Sequence, residues 1–302
     1  MSNKYINKSH LLALNVQSRT KEVTKLQFRW DSISEDISVF ISLVKKSVRK
    51  VLSKINIKPR GRPPKRSRVD YITLLVLKED EKKSLRGTER RLSHTIFKER
   101  IDHSVIAFWE KKADVQLVLE EVIREIGKAL IKNLPHDFTM VDATKFSNWK
   151  NEEIMFHLCN RICSETVYPT GISFLTGSVK APVNQAVDHG EGKLYADAGY
   201  DDNATLGVIF EKGYEPIVCP NSQRRKGYYR RKARKLYRML INRLGYRQRG
   251  RGESCFGSLT NKFGDRLKVI NEQVMRIRIT ARVISYQIKL LIRAIQRLLM
   301  NY

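Results

Sequence analysis

The apolar positions of this chain change period along its length. From Ile37 to Ile55, residues Val39, Phe40, Leu43, Val48, Val51 and Leu52 fall at helical spacing and predict an amphipathic helix. Pro59, Pro63 and Pro64 then exclude a helix and predict an extended linker to about Arg68. Residues 69–132 read as several short helices. One spans Asp70 to Lys78, and a second is N-capped by Ser84 and runs toward Leu92. A third starts at Asp102 or Ser104 and carries Val105, Ile106, Phe108, Trp109, Val115 and Leu117. Short helices with short connections suit a helix-turn-helix module or a plain bundle equally well.

At Pro135 the texture turns to short β-rich runs. Phe138 to Asp142 is a strand candidate without polar alternation, as expected of a strand buried on both faces. Ile154 to Cys163, Gly171 to Leu175, Lys193 to Asp197 and Glu215 to Cys219 are four more. Asp201 to Lys212 reads as a helix ended by Gly213. Strands in a meander, then strand-helix-strand, predict an α/β fold of mixed, α+β character: one mixed sheet with helices. Beyond it, Tyr228 to Leu244 reads as a very basic helix and Glu253 to Phe263 as a shorter one. Val274, Ile277, Ala281, Ile284, Ile288, Leu291, Ile295 and Leu298 then form one apolar seam on a long helix over 272–300. The seam is expected to pack against the sheet, with a partner helix as the alternative. The resulting organisation is a loosely ordered 1–34, a helical region 35–132 with a basic linker 58–68, and a sheet-bearing region 133–302.

Charge changes this picture by its position. The 302 residues carry 58 Lys and Arg against 31 Asp and Glu, a net +27. Residues 41–68 hold eleven cations and no acid, and residues 221–251 hold thirteen and no acid, so two stretches account for +24. Residues 69–140 balance at thirteen each, whereas 141–220 carry six cations against eleven acids. Two basic arms around an acidic segment point to a polyanion led toward a metal-binding centre. Double-stranded DNA is the expected partner, with Arg224, Arg225, Arg230 and Arg231 of the second arm among its contacts. No run of about 18 uncharged apolar residues exists, which argues against a membrane. The first 19 residues lack a leader-like apolar block, and four cysteines in this length make no disulfide framework. A reducing cytoplasm is the expected compartment, in association with the nucleoid.

Two carboxylates close apolar strands: Asp142 after Phe-Thr-Met-Val and Asp197 after Leu-Tyr-Ala. A carboxylate above a buried strand is costly unless something needs it. On adjacent strands the two would repel unless a proton or divalent cation lay between them, an arrangement that suits Mg²⁺. Asp201 and Asp202 open a helix and read as caps. Glu253 is the one acid between Glu215 and Asp265, so it is an ion-pair partner or a third metal ligand. His157, Cys159 and Cys163 share one strand, where alternation disfavours a tetrahedral zinc site, and read as core or edge residues. Pro59-Arg60-Gly61-Arg62-Pro63 matches the AT-hook core, in which Arg60 and Arg62 would reach along a narrow minor groove.

The strings Met-Val-Asp-Ala-Thr, Tyr-Ala-Asp-Ala-Gly-Tyr-Asp-Asp and Tyr-x-x-Arg-x-x-x-Glu-x-x-Phe resemble the three signature blocks of DDE transposases of prokaryotic insertion sequences, groups four and five. The blocks occur in family order, and the resemblance covers about residues 58–300, implying a DNA-binding region over 35–132 and a catalytic domain over 133–302. The resemblance implies a ribonuclease-H-like core in which Asp142, Asp197 and Glu253 are catalytic and bind two Mg²⁺ or Mn²⁺ ions. It also implies that Tyr246 and Arg249 contact DNA phosphate, and that Asp102 to Lys112 serves as a recognition helix. The family often carries Lys seven residues after the Glu; here Thr260 stands there and Lys262 lies two residues on. The implied activity is metal-dependent cleavage at inverted-repeat ends and strand transfer into target DNA, by a homodimer or higher oligomer. The rival readings are a DNA-binding regulator or inactive descendant, and a related metal-dependent nuclease.

Overall fold

The computed structural model describes residues 36–55, 64–163, 166–175, 177–222 and 226–300. Residues 1–34, Arg60, Arg62, Arg224 and Arg225 therefore lie outside the described part, as does the AT-hook-like string.

Among the described residues, six helices precede the sheet: α1 Ile37–Leu52, α2 Arg68–Asp80, α3 Leu85–Arg91, α4 Ser93–Phe97, α5 His103–Trp109 and α6 Ala113–Asn133. Their starts follow local chemistry. Side chains of Asp36, Ser67, Ser84 and Asp102 accept backbone N–H bonds at the first turns of α1, α2, α3 and α5. The run from Val105 to Leu117 is two helices, not one, because the chain leaves helical geometry after Trp109 and α6 begins at Ala113. The expected recognition helix is thus the seven-residue α5.

The sheet comprises β1 Phe138–Ser147, β2 Glu153–Ile162, β3 Val167–Ser173, β4 Lys193–Ala196 and β5 Glu215–Val218, in the order β3-β2-β1-β4-β5. β1, β2 and β3 form an antiparallel meander, and β4 and β5 add parallel to β1. This is the mixed sheet of the ribonuclease-H-like expectation. β3 begins four residues before the expected Gly171, because Pro169 sits on an edge strand where a missing N–H is tolerated. A register shift at Cys159 and Asn160 accommodates it.

Three helices cover one face: α7 Lys180–Ala186, α8 Asn203–Glu211 and α9 Tyr228–Arg238. α7 was not anticipated from the sequence. The basic run expected as one helix to Leu244 breaks at Met239, whose ψ of 128° is extended, and resumes as α10 Leu240–Tyr246. A 3-10 turn, Arg247–Gly252, leads into α11 Glu253–Phe263, and α12 Glu272–Met300 ends the described chain.

Alternation along β1 assigns its residues to two cores. Val141 belongs to the cluster under α7 and α8, while Met140 and Phe146 belong to the larger cluster. That cluster runs from Phe40 in α1 through α2, α6, β2 and α11 to Ala294 in α12. The seam of α12 packs chiefly on α6 and α2 and only in part on β3, so the helical partner, not the sheet, is its main contact. Gln287 at its centre donates to the carbonyls of Ile123 and Pro169 at 2.9 and 2.8 Å, spanning both.

Candidate active site

β1 and β4 place the first two carboxylates side by side. Thr139 stands opposite Leu194 and Met140 opposite Tyr195, an offset of 55 residues (194 − 139). Asp142 and Asp197 are separated by the same 55 (197 − 142), so continuing the parallel register sets them level. Asp197 lies just past β4, but Asp142 is the fifth of ten residues in β1, which does not close at Asp142 as the sequence led one to expect. Asp142 shares the strand face of Met140 by alternation. Its Oδ1 accepts the Ala143 N–H at 2.9 Å. Asp197 caps the 3-10 turn Ala198–Tyr200, accepting the Gly199 N–H at 2.8 Å.

The third carboxylate comes from α11. The chain approaches β1 so closely before Glu253 that a Cβ on Gly252 would lie 1.9 Å from Met140 Sδ. Glu253 itself is 62 % exposed on the rim. Arg249, one helical turn earlier, lies between the acids: its Nη1 is 3.5 Å from Asp142 Oδ2 and its Nη2 is 3.7 Å from Glu253 Oε1. Among the described residues, Glu89, Asp102 and His103 form the one set of three whose ligand-type atoms all fall within 4.8 Å, and Glu89 there is already paired with Arg100 and His103. Asp142, Asp197 and Glu253 are spread more widely. Like charges repel, and a single guanidinium gathers only two of the three.

Burial is the main reason Asp142 holds its proton more tightly than an ordinary aspartate; the negative charges of Asp197 and Glu253 add to the effect. The backbone N–H of Ala143 and the Arg249 guanidinium act the other way. Opposite Ala143, on the other face of β1 from Asp142, His157 meets Tyr200, with Nδ1 and Oη 2.9 Å apart. Burial keeps the Tyr200 phenol protonated well above its usual range, and the charges of Asp142 and Asp197 reinforce it. Burial likewise depresses His157, favouring the neutral imidazole. Sequence reasoning gave Tyr200 no role; its signal was its position three residues after Asp197, on the turn that Asp197 caps.

Tyr246 is not free to meet phosphate in this state. Its hydroxyl donates to the Ala196 carbonyl at 3.1 Å, and its ring packs near Tyr195 and Tyr237, bracing the strand end that carries Asp197. Arg230 is also engaged: it donates to the Asp201 carbonyl at 3.0 and 2.7 Å and pairs with the buried Asp201 carboxylate. Arg231, next to it on α9, is exposed. Asp202 caps α8 through the Thr205 N–H, and Asp201 accepts the Asn221 N–H, so both do structural work. Lys262 points away to the helical side, paired with Asp80 and 3.3 Å from Ser285 Oγ, and burial brings it down to about 8. His157, Cys159 and Cys163 are all buried in or beside β2.

No helix among the described residues is long and apolar enough to cross a membrane. No curated protein matches the chain in sequence. A family model described as the transposase DDE domain matches residues 134–288, just over half of the chain and the segment that holds the sheet, both aspartates, Arg249 and Glu253. The chain therefore belongs to the DDE transposases, of the insertion-sequence type.

Proposed function

We propose that this protein cuts DNA at the inverted-repeat ends of its element and joins those ends to target DNA, with Asp142, Asp197 and Glu253 as its catalytic and metal-binding residues. The observation that carries this reading is the parallel register of β1 and β4, which, continued, sets Asp142 within β1 level with Asp197 just past β4. All three are hard oxygen donors, and Asp142 is a half-buried carboxylate whose charge its acidic neighbours oppose. Such a donor set fits Mg²⁺ or Mn²⁺. Two such ions, when bound, supply Lewis acidity to the attacking and leaving oxygens of an in-line displacement at phosphorus.

The protein's own groups do the rest. Asp142 and Asp197 hold their positions through the Ala143 and Gly199 amides. Tyr246 fixes the end of β4, and the Tyr200–His157 hydrogen bond ties the turn that Asp197 caps to β2. Arg249 offsets the acids in the free protein and is placed to turn to a DNA phosphate once cations neutralise them. Exposed Arg231 offers its charge to the DNA backbone, and Arg224 and Arg225, outside the described residues, remain contacts proposed from the sequence. A homodimer or larger assembly follows from the reaction, because two ends must be held for one joining event.

The test is labelled duplex DNA carrying the element's ends, incubated with purified protein in Mg²⁺ or in EDTA. Nicking and joining in Mg²⁺ alone support the proposal. Cleavage without joining would reassign the protein as a nuclease, and binding without nicking would make it a regulator.

Two further outcomes are expected. Arg249→Ala removes the cation that competes for Asp142 and Glu253, so half-maximal thermal stabilisation should need several-fold less Mg²⁺; an unchanged requirement would remove that competition. Arg60→Ala with Arg62→Ala should weaken binding to A·T-rich duplex and reduce the log–log salt slope by about 0.9 for each phosphate no longer neutralised. An unaltered slope would remove the AT-hook assignment.

A further inference from the structure

A cleft of about 660 Å³ opens between the α2–α3 turn and the α11–α12 connection. Lys82, Lys83 and Arg86 line one side, and Arg266 and Lys268 the other. The acid in its wall is Glu79, already paired with Lys78, Arg278 and Arg282. Lys82, Arg86 and Lys268 are exposed, and no ion pair among the described residues engages them or Lys83. Lys82 takes a left-handed backbone with φ of 51°, a conformation that costs a non-glycine residue and is common at binding sites. At the cleft edge stands Trp149, 55 % exposed, with Arg266 and Lys268 at 5.8 and 6.0 Å from its ring. A basic channel with an aromatic edge is chemistry suited to a phosphate backbone.

Two rulers place this cleft relative to the carboxylates. Arg266 bridges to Ser147 at the end of β1, five residues beyond Asp142, which is about 17 Å of extended strand. α11 begins at Glu253 and ends beside the cleft at Phe263, and its eleven residues span about 16 Å. Either length corresponds to about five steps of duplex DNA at ~3.4 Å each. One duplex can therefore reach both places.

We infer that this cleft is a second DNA-binding surface, gripping the phosphate backbone of the duplex about half a helical turn from the bond lying at Asp142, Asp197 and Glu253. The inference rests on the proposed function for the location of the cut bond. Its partner is duplex DNA, recognised by backbone charge and not by base sequence.

The experiment measures binding of the full chain to a fluorescent 30-base-pair duplex of mixed sequence across a salt series in EDTA. Cutting is not needed, so failure here is separable from failure of the nicking assay. The variant Lys82→Ala/Arg86→Ala/Lys268→Ala should lose up to about 2.7 from the log–log salt slope, at about 0.9 per phosphate. The control Lys180→Glu reverses one exposed charge at the start of α7, outside both basic arms and outside residues 35–132, and should keep the wild-type slope where Lys268→Glu does not. If the triple variant fails to fold, the single charge reversal Lys268→Glu carries the test, with the same sign expected. An unchanged slope in the cleft variants, or an equal loss in the control, would overturn the inference. So would cleft dependence seen with a single-stranded 30-mer but not with the duplex.

Discussion

Asp142→Asn is expected to slow DNA nicking by roughly 10³-fold or more, about 4 kcal/mol of barrier, and yet to leave the protein as stable as before or slightly more so. The amide has the shape of the carboxylate, and its oxygen can still accept the Ala143 N–H. What it loses is charge, which the cations need and the fold does not. Burial and the charges of Asp197 and Glu253 all disfavour ionised Asp142, so neutralising it relieves the folded state. Asp197→Asn and Glu253→Gln should slow nicking comparably. Their effect on stability should be small: the amide oxygen that replaces the Asp197 carboxylate can still cap the turn, and Glu253 is 62 % exposed. Nicking rates in Mg²⁺ and melting midpoints in EDTA check both halves. Nicking that survives Asp142→Asn would take the carboxylates out of the chemistry. Lost nicking with a much lower midpoint would mean the acids serve the fold instead.

The elements bearing these acids were legible in the sequence because their signals are local. β4 and β5 are short apolar runs between breakers, whereas β1 continues five residues past the expected Asp142 to Ser147, and the spacing of the aspartates matches the strand register. Glu253 to Phe263 is bounded by Gly252 and Gly264, and the structure keeps those bounds. Ser84, Asp102 and Asp202 announce helices through side chains that bond their own first turns. What stayed hidden depends on tertiary context. Seven-residue α7 is too short for its period to show. The breaks after Trp109 and at Met239 have no glycine or proline to mark them. Pro169 reads as a strand breaker until the sheet order shows that it lies on an edge. A seam of Val, Ile and Leu at steps of three and four says that α12 is buried on one face, not whether a helix or the sheet buries it. Of the site, residue types were readable, but occupancy was not. Nothing in the sequence shows that Arg249 lies between two acids, that Tyr246 braces β4, or that Lys262 turns away to Asp80.

Glu79→Ala should produce the largest loss of stability, about 3–5 kcal/mol, the usual cost of breaking a buried ion pair from one side. Glu79 sits near the C-terminus of α2, where the helix dipole disfavours an anion, yet it is almost wholly buried. Three cations compensate: Lys78 at 2.7 Å, Arg282 at 2.9 Å and Arg278 at 3.6 Å. Lys78 and Arg278 also reach Glu110 just past α5, at 2.7 and 3.4 Å. Removing Glu79 leaves Lys78 and Arg278 to share Glu110 and takes from Arg282 the carboxylate it pairs with, so the cost is that of an uncompensated charge and exceeds that of one missing hydrogen bond. The same network sets a pH dependence. Burial alone would raise the Glu79 carboxyl, but Lys78, Arg278 and Arg282 outweigh it and hold it at about 2, against an ordinary 4.5. The folded state therefore binds fewer protons at this group than the unfolded state. Its contribution is complete above about pH 4.5 and is lost as the pH falls toward 2. Denaturant midpoints measured from pH 6 down to 3 should fall for the wild type, and less steeply for Glu79→Ala. Parallel curves would place the acid sensitivity elsewhere. Because Arg278 and Arg282 belong to α12 and Glu79 to α2, this network fixes the helical region to the sheet-bearing half. It also holds the α2–α3 turn, with Lys82 and Arg86, opposite Arg266 and Lys268. Glu79→Ala should accordingly flatten the salt dependence of DNA binding although Glu79 is itself an anion, whereas simple removal of a negative charge would steepen it.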